Sequence, residues 1–176
     1  MSKKTLILGG IKSGKSRYAE NSASQWNGPI NLIATATADD EEMAVRIDRH
    51  KLERNPKFNV VEEPIYLGKA IARHTSAECI VVDCLTLWIT NLLMTTESKT
   101  SMEHERASFL DSVKASRSRI FFVSNESNMG IIPLGELSRR YCDEIGLIHQ
   151  ELATICDEVY LMVAGIPLQI SPGNVS

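Results

Sequence analysis

The sequence predicts an α/β domain of three layers, with helices on both faces of a mainly parallel sheet. Two observations support this fold class. Short runs that are apolar throughout recur along the chain, and such runs are typical of strands buried on both faces. Longer stretches with helical periodicity separate these runs, and strands that alternate with helices form parallel sheets covered on both sides.

Six strands are predicted from the apolar runs, taken in chain order. The first, TLIL, ends at a pair of glycines, and the third, CIVVDCL, carries an acidic residue near its carboxyl end. The sixth, PLQI, is short. The predicted strands cover residues 5–8, 30–36, 79–85, 120–125, 158–165 and 167–170.

Six helices are predicted between and after these strands. The first follows the glycines and has enough helix formers to begin a helix, and the second opens with Asp39 and Asp40, which can cap its N-terminus. The last is the most clearly amphipathic, because its apolar residues recur at steps of three and four. These residues, which we expect to form one buried face, are Leu134, Leu137, Tyr141, Ile145, Ile148, Leu152 and Ile155. The predicted helices cover residues 16–26, 39–54, 64–74, 85–94, 102–116 and 134–156.

The composition is that of an ordinary globular protein, since 43% of the 176 residues are hydrophobic and 23% are charged. This length predicts a single domain, 1–176, whose core needs neither disulfides nor metal, and we expect the four cysteines to be reduced and buried. The net charge of −3 argues against a nucleic-acid binder with a basic surface. The sequence has no apolar run that could span a bilayer and no recognisable signal peptide, so we expect a cytoplasmic protein.

The stretch LILGGIKSGKSRYAE contains a phosphate-binding loop (P-loop), and it lies between a predicted strand and a predicted helix, as this loop requires. Its backbone N–H groups would face phosphate oxygens, with Lys15 at the β and γ phosphates and Ser16 on a magnesium ion. We therefore expect a nucleotide-binding P-loop NTPase domain of the RecA-like type. The predicted nucleotide-binding loop comprises Gly9, Gly10, Ile11, Lys12, Ser13, Gly14, Lys15 and Ser16.

Asp83 follows an apolar strand at its carboxyl end, where P-loop proteins usually place a second acidic motif. Its carboxylate would orient Mg2+, directly or through water. We therefore predict Ser16 and Asp83 as the magnesium ligands, and Lys15 and Asp83 as catalytic residues.

The predicted helix 39–54 carries Arg46, His50 and Arg54 at successive i, i+4 positions, which form one row. Two guanidinium groups beside an imidazole could bind a phosphorylated anion and would favour the neutral, nucleophilic imidazole. The residues alone leave a solvated basic face as an alternative.

A polar segment, SNESNMGIIP, lies between a predicted strand end and the last helix. Asn125, Glu126 and Asn128 are placed where a substrate-binding loop belongs on this fold, although a simple polar turn is an alternative. Arg139 and Arg140 on the last helix could equally be solvated or bind phosphate.

With these stretches in hand, the chain resembles the bifunctional adenosylcobinamide kinase / adenosylcobinamide-phosphate guanylyltransferase family of cobalamin biosynthesis. The matching segments occur in the family's order over nearly the whole chain: LGGIKSGKSRYAE, IATATADDEEMAVRIDRHKLER, VVEEP, VVDCLTLWITNLL, SNESNMGIIP and DEVYLMVAGIPLQI. The resemblance implies two reactions. Adenosylcobinamide is phosphorylated from ATP or GTP, and GMP is then transferred from GTP to that phosphate through a guanylyl-histidine, for which the matching residue is His50.

The resemblance also implies site residues and partners. Glu62 and Glu63 would contact guanine or ribose, and the remaining implied nucleotide contacts are Ala34, Thr35, Ala36, Lys51 and Arg54. The family forms small oligomers, so a homotrimer is expected. Five positions depart from the family's pattern: Arg49, Ser127, Asn128, Cys142 and His149.

Two alternatives to the bifunctional enzyme are a P-loop kinase of another small alcohol without the transferase step, and a non-catalytic nucleotide-binding switch. A covalent GMP adduct on His50 would distinguish the bifunctional enzyme from both. A switch would also have little need for the row of Arg46, His50 and Arg54 or for the Glu-Glu-Pro segment.

Overall fold

The structure, a computed structural model, describes residues 2–37, 56–74, 78–95 and 99–172. The helix predicted over 39–54 therefore lies outside the described residues. The described elements follow one another as β1 (Lys4–Gly9), α1 (Lys15–Ala23), β2 (Ile30–Ala34), β3 (Phe58–Glu62), α2 (Leu67–Ala72), β4 (Cys79–Asp83), α3 (Leu85–Thr95), α4 (Lys99–Ala115), β5 (Arg119–Val123), α5 (Glu136–Ile155), β6 (Glu158–Val163) and β7 (Ile166–Pro172).

The seven strands form one sheet in the order β3-β2-β4-β5-β1-β6-β7. Every neighbouring pair is parallel except β6 and β7, which form an antiparallel hairpin. At the carboxyl edge Glu62, Ala34, Asp83 and Val123 are successive partners across β3, β2, β4 and β5, and Ile7 of β1 pairs with Val123. This register brings the ends of five parallel strands to the same level as the loop after β1.

Alternate residues of the strands belong to two hydrophobic cores, one on each face of the sheet, because successive side chains in a strand point to opposite faces. On one face Leu6 and Phe122 pack with side chains of α2, α3, α4 and α5, including the fully buried Trp88 and Phe109. On the other face Ile7 packs with α1 through side chains such as Ala19 and Ala23. The predicted three-layer α/β fold with a mainly parallel sheet is thus confirmed.

The prediction missed one strand, β3. Phe58 is buried, but Val60 is 38% exposed and Glu62 is exposed, because β3 is an edge strand with a neighbour on one side only. A five-residue edge strand has neither the continuous apolar run of a central strand nor a long periodic pattern.

The predicted buried face of the last helix is correct only in its second half. Ile145, Ile148 and Leu152 are buried, whereas Leu134 is 98% exposed and precedes α5, and Leu137 is 52% exposed. The buried side chains of α5 run from Glu144 to Leu152, so the first turn of the helix lies outside the core.

Close approach of α2 and α4 depends on Gly68. A Cβ atom at this position would lie 2.7 Å from the carbonyl oxygen of Ser108, so a larger residue would push the two helices apart. Trp88 packs against the same layer, with its ring 4.8 Å from that of Phe109, and its Nε1–H donates to the carbonyl of Ile65 over 2.8 Å.

The four cysteines are free, as predicted. Three of them, Cys79, Cys84 and Cys156, are buried, while Cys142 on α5 is half-buried. Burial raises the pKa of the Cys84 and Cys79 thiols to about 11 and that of Cys156 to about 12, so these three are poor nucleophiles at neutral pH. Within the described ranges, no helix combines the length and apolar character needed to cross a membrane.

Candidate functional site

The P-loop lies between β1 and α1 at the carboxyl edge of the sheet, as the sequence predicts. Gly14 immediately precedes α1 with φ +95°, a backbone conformation that residues with a side chain rarely adopt. Gly9 has no space for a side chain, because a Cβ atom there would lie 2.6 Å from the carbonyl oxygen of Met162 and 2.7 Å from the Ser13 hydroxyl. These two glycines let the backbone turn so that the N-terminus of α1 faces the inside of the loop.

Lys15 extends into this loop. Its side chain is 7% exposed, and its ammonium group donates to the carbonyl of Gly10 over 2.7 Å and lies 3.5 Å from the hydroxyl of Ser13. Burial lowers the pKa of Lys15, while the neighbouring Cys84 and Asp83 act in the opposite direction. A largely desolvated positive charge inside the loop is suited to bind phosphate oxygens, which can replace the single carbonyl.

Asp83 lies at the end of β4, half-buried and close enough to influence Lys15 electrostatically. The predicted catalytic pair is therefore brought together across the edge of the sheet. Ser16 lies next to Lys15 on the first turn of α1. A hydroxyl from α1 and a carboxylate from β4 are the oxygen ligands that Mg2+ accepts alongside nucleotide phosphates.

Two residues assigned to the nucleotide by resemblance have structural partners in the fold. Thr35 is fully buried, and its hydroxyl donates to the carbonyl of Cys84 over 2.7 Å and accepts from the Cys84 N–H over 2.9 Å. Glu63 accepts from the N–H groups of Ile65 and Tyr66 at 3.2 and 2.8 Å. These two side chains hydrogen-bond to the backbone around the site. They therefore contribute to the site mainly by holding that backbone in place.

The neighbouring residues Ala34, Ala36 and Glu62 lie at the same edge. Ala34 is buried and its carbonyl accepts from the Glu63 N–H over 3.0 Å, while Ala36 is half-buried and Glu62 is exposed. Arg46, His50, Lys51 and Arg54 fall outside the described residues.

Asn91 of α3 is a site residue that the sequence reasoning missed. Its side-chain amide donates to the carbonyl of Thr35 over 2.7 Å and to that of Pro64 over 3.2 Å, so it ties the segments after β2 and β3 together. The sequence does carry a signal, since the other residues of this helix are apolar or threonine, and a buried asparagine amide needs partners.

The loop after β5 is attached to both the P-loop and α5. The N–H of Glu126 donates to the carbonyl of Gly9 over 3.0 Å, which continues the pairing of β5 with β1 into the P-loop. The Asn128 amide donates to the carbonyl of Cys142 over 2.9 Å, and the Ser127 hydroxyl lies 3.4 Å from the Tyr141 hydroxyl. The predicted substrate loop is thus held directly above the first glycine of the P-loop.

Four of the five positions at which the resemblance implies a departure from the family's pattern lie at this contact. The side chain of Asn128 contacts Cys142, and Ser127 precedes Asn128 in the loop. His149 of α5 lies beside Glu126 of the same loop. These four positions therefore lie at one contact between the loop and α5.

Arg139 has a structural role in this loop. Its guanidinium donates to the carbonyl of Pro133 over 3.2 Å and to the carbonyl of Leu134. The side chain is exposed, so its guanidinium is solvated as well as bonded to the loop.

The turn of the β6–β7 hairpin braces the P-loop from the other side. The N–H of Gly165 donates to the carbonyl of Ser13 over 3.0 Å, and a Cβ atom at Gly14 would lie 3.3 Å from the Cα of Gly165. The sequence offers no local signal for this contact, because the two segments are separated by about the whole length of the domain.

Comparison with known proteins identifies relatives over most of the chain. A family model described as cobinamide kinase / cobinamide phosphate guanyltransferase matches residues 5–170. The bifunctional adenosylcobalamin biosynthesis protein CobP of Pseudomonas aeruginosa is 44% identical over 166 residues, which cover 94% of this chain and 95% of that relative. The bifunctional adenosylcobalamin biosynthesis protein CobU of Escherichia coli is 32% identical over 178 residues, which cover 94% and 98% of the two chains.

A solved structure supports the fold alone. An ATPase from the type III secretion system of pathogenic bacteria matches with a TM-score of 0.51 and 12% sequence identity, covering 92% of this chain and 52% of that chain. At that identity the likeness concerns the arrangement of strands and helices only.

Proposed function

Because the chain belongs to the cobinamide kinase / cobinamide phosphate guanyltransferase family, we propose that it phosphorylates adenosylcobinamide with ATP or GTP and then transfers GMP from GTP to that phosphate. The observation that supports the nucleotide chemistry most directly is the buried ammonium group of Lys15 inside a complete P-loop. Neither the single-activity kinase nor the non-catalytic switch is favoured by any residue of the site.

In the kinase step, the hydroxyl of adenosylcobinamide attacks the γ phosphate and the nucleoside diphosphate leaves. The backbone of the P-loop and the N-terminus of α1 bind the phosphates, and Lys15 offsets the charge that they carry. The packing of Gly9 and Gly14 already holds the loop backbone in its turned conformation, so the main change on nucleotide binding is that phosphate oxygens replace the Gly10 carbonyl as the partner of Lys15.

Magnesium fits the donors that face this site. The proposed ligands are the hydroxyl of Ser16 and the carboxylate of Asp83, which are hard oxygen donors on neighbouring elements. In the described part of the chain no group of three His, Cys, Asp or Glu side chains forms a dedicated metal cage. Two protein oxygens are in keeping with Mg2+, which usually keeps water and phosphate as its other ligands, and which when bound would neutralise charge on the triphosphate.

In the transferase step, the neutral imidazole of His50 attacks the α phosphate of GTP, and pyrophosphate leaves. The phosphate of adenosylcobinamide phosphate then attacks the guanylyl-histidine, and His50 is released. Lys51 and Arg54 would contact the nucleotide in the same step, and Glu62 is the proposed partner of the guanine donors because a carboxylate can accept from both N1–H and N2–H₂.

The test is to incubate the protein with magnesium and GTP labelled in the α phosphate and the guanosine. We expect both labels on the chain, in a bond that is labile to acid and stable to alkali, and we expect no label on the His50→Ala variant. Nucleotide binding should be retained in this variant. An unlabelled wild-type protein that still binds GTP would exclude the transferase half and leave a kinase or a switch.

A homotrimer is part of the same proposal. Ile166, Leu168 and Ile170 alternate along β7, so they share one face of the strand, and they are 56–69% exposed in the single chain. A second exposed apolar surface comprises Met129, Ile131, Ile132 and Leu134. Apolar surfaces of this kind commonly mark contacts between chains.

We expect sedimentation to give three times the mass of the 19.5 kDa chain. Replacing Leu168 with lysine should shift the protein toward smaller species if the β7 face is the contact. A wild-type protein that sediments as a monomer across the micromolar range would contradict the trimer.

A further inference from the structure

Three carboxylates at the carboxyl edge differ in what their oxygens contact. Asp83 is close to Lys15 and suited to the metal, and Glu63 is engaged by two backbone N–H groups. Glu126 is the carboxylate whose own backbone is hydrogen-bonded to the P-loop, through its N–H and the carbonyl of Gly9. It is therefore placed beside the loop that binds the phosphates without being committed to the metal.

The two oxygens of Glu126 have different surroundings. Oε1 accepts from the N–H of Asn128 over 2.8 Å, while Oε2 faces Nδ1 of His149 at 3.8 Å, beyond hydrogen-bond distance. The side chain retains 15% of its exposure. Oε2 can therefore accept a hydrogen bond from a group that enters at the edge of the sheet.

His149 lies beside this carboxylate and is itself held in place by Ser124. Its Nε2 lies 2.7 Å from the hydroxyl of the fully buried Ser124, and burial lowers the pKa of His149 although Glu126 opposes this effect. An ionised carboxylate can only accept hydrogen bonds, so the His149 tautomer that Glu126 attracts carries its hydrogen on Nδ1. Nε2 of His149 then accepts a hydrogen bond from the Ser124 hydroxyl. The result is a neutral imidazole that directs an N–H toward Oε2.

We propose that Glu126 is a catalytic residue of the kinase step, where it accepts the proton of the attacking hydroxyl, and that His149 is its positioning residue. The inference rests on the proposed function. The O–H bond of the alcohol breaks as its oxygen bonds to the γ phosphorus, the bond from that phosphorus to the departing diphosphate breaks, and the proton passes to Oε2 and then to solvent. The transferase step needs no such base, because its attacking phosphate is already an anion.

This asymmetry gives a sharp test with Glu126→Gln, which keeps the shape of the side chain and its acceptor for Asn128. We expect kinase turnover to fall by about 10²- to 10⁴-fold, the usual contribution of a general base. The rate of labelling by GTP and the rate of GMP transfer to supplied adenosylcobinamide phosphate should stay within about threefold of the wild-type rates, because an anionic nucleophile needs no base. Glu103→Gln on the exposed face of α4 is the matched control.

Two outcomes would overturn the proposal. One is kinase turnover that survives the substitution, and the other is a parallel loss of all three activities together with weaker nucleotide binding, which would make Glu126 part of the nucleotide site. A wild-type protein that catalyses neither reaction would instead overturn the proposed function and this inference with it.

The positioning role of His149 is tested with a pair of variants. In His149→Gln the side-chain amide lies near the position of Nε2, so the N–H that faces Glu126 is lost. In His149→Asn the amide lies near the position of Nδ1, so an N–H facing Glu126 is kept. Among the residues that the structure describes, the titratable groups near Glu126 are His149 and Tyr141 of α5, and the P-loop contributes the backbone of Gly9. An N–H directed at the carboxylate favours its charged form electrostatically even at 3.8 Å, so loss of that N–H moves the acid limb of kinase kcat/KM to higher pH. We expect this shift in His149→Gln but not in His149→Asn, and equal profiles in the two variants would contradict the role.

Discussion

Replacing Lys15 with alanine is expected to lower the turnover of both the kinase and the transferase by about 10²- to 10³-fold, the usual cost of removing one fixed positive group from a charged transition state. The expected loss is large because Lys15 is 7% exposed and its ammonium group lies inside the P-loop. Solvent can replace little of a charge that is buried to this degree. If both reactions use a triphosphate bound in this loop, as proposed, both should fail together.

The loss should not reflect unfolding. Burial lowers the pKa of Lys15, so its charged form is less favourable in the folded chain than in the unfolded chain. We therefore expect calorimetry to give Lys15→Ala a free energy of unfolding no lower than that of the wild type. Lys114→Ala, at the exposed end of α4, makes the same change of charge away from the site and should keep full activity. Turnover within a few-fold of the wild type in Lys15→Ala would remove Lys15 from the mechanism.

Replacing Asp83 with asparagine is expected to lower both reactions by about 100-fold at ordinary magnesium concentrations, because the metal loses its only proposed charged protein ligand. The size and shape of the side chain are nearly unchanged. The loss should therefore be relieved in part as the magnesium concentration is raised, and rates measured over a magnesium titration would show a higher midpoint.

The control for this variant is Asp111→Asn on the exposed surface of α4, which should leave the magnesium titration unchanged. An unaltered midpoint in Asp83→Asn would mean that another residue holds the metal. The pattern also separates Asp83 from Glu126, because loss of the metal ligand should affect both transfers whereas loss of the base should affect the kinase alone.

The parts of the site that were predictable from sequence are those that local chemistry determines. Gly9, Gly14 and Lys15 are recognisable because a strand, a tight turn and a helix N-terminus must follow one another within a few residues. Asp83 is recognisable because it ends a buried strand. Each of these positions is specified by its neighbours in the chain.

The remaining contacts could not be predicted because their partners are distant in sequence. The hydroxyl of Thr35 is engaged by the backbone of Cys84, 49 residues later, and His149 reaches Ser124 across 25 residues. Nothing in either local segment indicates the partner. Leu137 shows that a local pattern can also mislead. It continues the spacing of the buried apolar residues of α5, yet it lies beyond the end of the core and is exposed.

The position of β1 in the sheet has a consequence for synthesis on the ribosome. β1 is made first, yet its two neighbours are β5 and β6, which belong to the last third of the chain. A nascent chain that has emerged only as far as α4 carries every residue of the P-loop but neither strand that flanks it, and the brace from Gly165 comes later still. The nucleotide site is thus among the last parts of the domain to become complete, and the ability to bind GTP reports that translation has reached the final hairpin.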